Sequence, residues 1–145
     1  MKWKDVDLDC AEWKYLSTKR NKEIIVPLSR QAVDILKDLQ LLTGRGEYVF
    51  PGARSFRPFN GKAIITALRI LGYDKTEMSA HGFRAMARTL LAEKLEIDEK
   101  LIEFQLTHEV ADAMKGAYNR ARYLEPRRKM MQDWADYLDQ LKGVR

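Results

Sequence analysis

The chain has 145 residues, 46% of them hydrophobic and 32% charged, with a net charge of +5 and a pI ≈ 9.3. That balance predicts one folded domain with a single core and excludes a disordered chain. The lone Cys10 excludes an intrachain disulfide and a cysteine-built zinc cluster, and no uncharged apolar run approaches the roughly 20 residues that cross a bilayer.

Along the chain, Trp3, Val6 and Leu8 alternate as a first strand, and Trp13, Tyr15 and Leu16 as a second. The basic stretch STKRNK (17–22) reads as a hairpin tip, and EIIVPL (23–28) as a third strand, completing a small antiparallel meander. SRQAVDILKDLQLL predicts a helix capped by Ser29, with Ala32, Val33, Leu36, Leu39 and Leu42 on its apolar spacing. Residues 43–61 are rich in Gly, Pro and Arg and read as a loop around a short apolar YVF. GKAIITALRILGY predicts a second helix closed by Gly72. In SAHGFRAMARTLL (79–91), Phe83, Met86, Ala87, Leu90 and Leu91 form a helical apolar stripe facing a core. IDEKLIEFQL is a further short helix, ended by Thr107 and His108. One or two helical pieces are expected around Gly116, then a last helix starting at Pro126, with Met130, Met131, Trp134, Leu138 and Leu141 on one face. RRK at 127–129 is expected on that helix's solvent face. Strands first and helices after predict an α+β fold, a β-meander followed by a mainly helical bundle.

Five polar residues stand out: Lys19 in the hairpin tip, His81 and Arg84 at a helix start, His108 after a helix, and Tyr118. Each alone has an ordinary role: a solvated turn lysine, a helix cap with a surface arginine, a carbonyl-capping histidine, a packing tyrosine. Tyr123 competes with Tyr118 for any special function. As a set they differ. His81 and Arg84 are three apart and can face one anion. No carboxylate cluster accompanies them, so two-metal phosphoryl chemistry lacks its ligands, whereas basic donors with one phenol suit metal-free attack on a phosphodiester.

The segments TKRNKEIIVPLSRQA, SAHGFRAMARTLL, IEFQLTHE and GAYNRARYLEPRRKMMQDWADYL resemble, in the same order, the tyrosine recombinases or phage integrases, most closely their prophage and satellite-phage branch. The resemblance implies that Lys19 is the hairpin lysine, His81 and Arg84 the His-x-x-Arg box, His108 the later histidine and Tyr118 the nucleophile. Leu-Thr-His at Thr107 departs mildly from a common Leu-Gly-His. The family's first arginine precedes the meander and has no match here. Residues 1–145 are therefore expected to be a fragment of an integrase catalytic domain, inactive alone, without the core-binding domain.

The resemblance further implies site-specific DNA integration or recombination through a 3′-phosphotyrosine link, with no cofactor and no metal. Expected partners are double-stranded DNA attachment sites, further protomers in a homo-tetrameric synapse (the fragment itself monomeric), and accessory DNA-bending or excision factors, with no membrane. The expected location is the cytoplasm, on the nucleoid when DNA is bound. Arg45, Arg54, Arg57 and Lys62, in and after the Gly/Pro-rich loop, are candidate phosphate contacts. The alternatives are a non-catalytic DNA-binding module or degenerate integrase, and a topoisomerase-like enzyme using the same tyrosine chemistry.

Overall fold

Among the described residues, an antiparallel sheet comes first and five helices follow. This computed structural model describes residues 1–17, 21–52, 57–107 and 117–143; the side chains of Ser17, Lys22, Thr107 and residues 117–122 fall outside the description. The strands are β1 (Val6–Asp7), β2 (Glu12–Ser17) and β3 (Lys22–Pro27), with β2 central. Trp13 pairs with Val26 and Tyr15 with Ile24, and the Trp13 and Tyr15 rings stack 4.4 Å apart. β1 is shorter than its alternation suggests, because Trp3–Asp5 forms a 3-10 turn. The Trp3 indole N–H donates to the carbonyl and hydroxyl of Thr43 at 3.1 and 3.2 Å, drawing the start of the chain away from the sheet.

Helix α1 (Arg30–Thr43) begins where the sequence places it, with the Ser29 hydroxyl accepting from the Ala32 N–H at 3.3 Å. Val33 and Leu36 are buried, but Leu42 is 81% exposed, so the apolar stripe stops short of the last turn. Within the loop that follows, Val49 is fully buried, and a Lys2–Tyr48 bridge ties the loop to the start of the chain. α2 (Lys62–Ile70) ends in a Schellman turn: Gly72 adopts φ 94°, its N–H bonds the Arg69 carbonyl, and the Tyr73 N–H bonds that of Leu68. Only a glycine enters this left-handed region without steric cost.

α3 (Gly82–Glu93), α4 (Glu99–Thr107) and α5 (Ala117–Gly143) form the helical part of the core. One residue from each, Leu91, Ile102 and Met130, makes a buried cluster, with Leu95, Ile97, Met131 and Trp134 packed around it. Asp98 caps α4, its carboxylate accepting from the N–H groups of Lys100 and Leu101. Phe83, expected in the α3 stripe, is 43% exposed, and Leu141 lies past the end of the packed face. Pro126 does not start a helix: α5 runs through it without a break. Arg127 is 4% exposed and belongs to the interior, not to the solvent face expected for the RRK run. The architecture is α+β, and among the described residues no helix is long and apolar enough to cross a membrane.

Candidate active site

The box residues sit at the start of α3. His81 occupies the cap position with helical backbone angles, and its ring makes no capping bond. Ser79 supplies the cap instead: its hydroxyl accepts from the Gly82 N–H at 3.0 Å. The His81 carbonyl accepts from the N–H groups of Arg84 and Ala85, so the box is the first turn of the helix. Both side chains are exposed, and neither is hydrogen-bonded or ion-paired to another described residue. Among the described residues nothing occupies the donors of the guanidinium.

The approach to that turn is pinned. Arg69, at the end of α2, donates through both terminal nitrogens to the Met78 carbonyl at 3.2 and 3.1 Å. The Asp74 carboxylate accepts from Thr76 and Glu77, which lowers its pKa, chiefly through the Thr76 hydroxyl. A Cβ on Gly82 would lie 2.9 Å from the Met78 sulfur, so this turn packs closely on the segment before it. Sequence reasoning gave Arg69 and Ser79 no part here. An arginine three residues before a helix-terminating Gly-Tyr was the available signal, because such a cation lies close to the last carbonyls.

α3 packs on α4, α4 on α5, and α5 on β3. Arg88 of α3 pairs with Glu103 of α4. Tyr118 falls in the first turn of α5, its side chain outside the described residues. Lys19 and His108 also lie outside them, as does Arg54. In the chain, Lys19 comes between the paired ends Ser17 and Lys22 of β2 and β3, and His108 directly follows α4. The elements that adjoin or carry the five catalytic candidates therefore form one packed series, β3–α5–α4–α3. Arg45, Arg57 and Lys62 are exposed around the loop before α2, where the Asn60 carboxamide oxygen accepts from the Lys62 N–H at 3.0 Å.

The largest departure from the sequence reading is at the start of the α5 body. Arg127 donates from Nε to the Gln105 carboxamide oxygen at 2.7 Å and from Nη2 to the Ile25 carbonyl at 2.8 Å. Its guanidinium also lies over the Phe104 ring, 5.0 Å from the centroid. Both acceptors are neutral, and burial pulls the pKa of Arg127 down to about 10. Arg128 beside it donates to Glu12 at 2.9 Å and to the Cys10 carbonyl at 3.1 Å. Tyr123, the competing tyrosine, stacks on Phe104 with ring centroids 5.5 Å apart. A groove of about 610 Å³ between α1 and α5 is lined by residues of both charge signs and by none of the candidate catalytic residues. Among the described residues no group of three or more His, Cys, Asp or Glu side chains is arranged to hold a metal ion.

Comparison with known proteins places the chain in a family. The sequence profile described as the phage integrase family matches residues 1–125. The integrase of Enterobacteria phage P4 is 38% identical over 155 residues, covering 95% of this chain and 35% of the relative. The prophage integrase IntZ of Escherichia coli K12 is 42% identical over 123 residues, covering 85% and 30%. The prophage integrase IntA of the same strain is 37% identical over 138 residues, covering 93% and 33%. The chain thus spans about a third of the length of these relatives. No solved structure matches it significantly. The chain belongs to the phage integrase family.

Proposed function

We propose that this chain is the catalytic portion of a site-specific DNA recombinase, carrying its site from the hairpin lysine to the nucleophilic tyrosine. The observation that carries the reading is the packed series β3–α5–α4–α3, whose three helices are joined through Leu91, Ile102 and Met130. A packed series of this kind would let groups distant in sequence act on a common substrate, as catalysis by positioning requires.

In the proposed mechanism Arg84 offers parallel N–H donors to the non-bridging oxygens of a DNA phosphate, where charge gathers in the transition state. The Tyr118 phenol oxygen attacks the phosphorus and passes its proton to a histidine, His81 or His108. The other histidine donates a hydrogen bond to the phosphoryl group. The bond to the 5′ oxygen breaks, and Lys19 protonates that leaving group. A 3′-phosphotyrosine forms, and the 5′ hydroxyl of another strand reverses the step, so no external energy source is consumed. Four protomers on paired attachment sites, with accessory DNA-bending factors, would carry out exchange. Arg45, Arg54, Arg57 and Lys62 would bind flanking phosphates, with an affinity that falls as salt rises.

The test is a nicked suicide duplex, which traps the covalent link because the 5′ strand diffuses away. The intact protein should form a protein–DNA adduct, and Tyr118→Phe should bind the duplex but form none. An adduct undiminished in Tyr118→Phe would reject the assignment of the nucleophile.

A further inference from the structure

Arg127 joins three of the elements just described: it sits on α5, donates to a backbone carbonyl of β3, and holds both Gln105 and Phe104 of α4. A methionine or leucine would fill the same space without the cost of burying a cation, but would leave the Ile25 carbonyl without this donor. A lysine carries its charge at one point and cannot reach in two directions as the guanidinium does.

Its place along α5 is equally telling. Pro126 lacks an N–H, so the helix loses one of its i→i−4 bonds there and is weakened between its first turns and its body. Tyr123 before the proline and Arg127 after it are four residues apart, on one face, and both rest on Phe104. They brace the helix across the weak point. Tyr118 lies nine residues before Arg127, about 13 Å along the axis at the usual helical rise, so a small change of angle at Pro126 displaces that first turn.

We propose that Arg127 is a positioning residue, which holds the Tyr118-bearing end of α5 in register with β3 and α4 so that the phenol meets the phosphate bound by α3. The inference rests on the proposed recombinase reading for its consequence in catalysis, but not for the geometry it predicts.

Two measurements test it in the intact protein. In the first, nitroxides at Tyr118→Cys and Glu99→Cys, on a Cys10→Ser background, report the distance from the first turn of α5 to the start of α4. A narrow distribution is expected with Arg127 present, and a broadened or shifted one in Arg127→Met at a temperature where the variant is fully folded. In the second, adduct formation on saturating suicide duplex should fall about a hundredfold in Arg127→Met with DNA affinity nearly unchanged. Arg127→Lys should fold yet recover little of that rate, and it replaces the methionine variant in both measurements if that variant does not fold. An unchanged distance distribution, or an undiminished adduct rate in a folded variant, would overturn the proposal. A persistent adduct in Tyr118→Phe would instead reject the nucleophile assignment, and the distance measurement would still decide the role of Arg127.

Discussion

The Tyr123 ring stacks on the Phe104 ring, with centroids 5.5 Å apart and planes 25° from parallel. That contact uses the ring and not the hydroxyl. Tyr123→Phe is therefore expected to keep its stability within about 0.5 kcal/mol and its yield of DNA adduct near that of the unaltered protein. Loss of the adduct in Tyr123→Phe, measured on the same suicide duplex as Tyr118→Phe, would move the nucleophile five residues along the helix.

Arg84 is exposed and has no side-chain partner among the described residues, so its replacement should affect chemistry and leave folding alone. Arg84→Lys keeps the charge and loses the planar fork. Its single-turnover cleavage rate should fall about 10²–10³-fold, with the thermal midpoint unchanged. A matching fall in thermal stability would indicate a structural role.

Leu91, Ile102 and Met130 close the contact between the three helices. Leu91→Ala should cost about 2–5 kcal/mol in denaturant unfolding, from lost burial and the cavity it leaves. Leu42→Ala, at an 81% exposed position, should change stability by less than about 0.5 kcal/mol.

These two leucines mark where the sequence was legible. Local signals read well: the Ser29 cap and the Gly72 turn need only neighbouring residues, and both are present as expected. Leu42 continues the α1 spacing as well as Leu36 does, yet it is exposed, because burial depends on what lies opposite. Pro126 was a sound local signal for a helix start, overridden here by packing of Tyr123 and Arg127 on one ring. Arg127 was unreadable for the same reason: its acceptor Ile25 lies 102 residues away, and a run of three cations looks solvated until that partner is known. The His81–Arg84 box was legible as a motif, whereas the Arg69 grip that fixes its approach depends on where a loop returns.

Acid should loosen the seam between α1 and α5. The Asp136 carboxylate accepts from Gln31 and Gln132, both at 2.8 Å, and these bonds, Gln31 first, hold its pKa below the ordinary aspartate value of 3.8. Asp139 is lowered likewise, chiefly by Gln31 and then by Lys142. A carboxyl depressed in the folded state contributes stability above its unfolded pKa and loses it as pH falls through the folded one. Denaturant midpoints should hold near neutrality and drop below about pH 4. Asp136→Asn should flatten that acid limb, and an unchanged limb would show that other carboxyls set it.

The most direct measurement of the central claim is the identity of the residue joined to DNA. The intact protein, trapped on a suicide duplex and digested with protease, should yield one DNA-linked peptide, with the 3′ phosphate on Tyr118. A phosphate on any other residue, or efficient cleavage with no covalent link, would contradict the account.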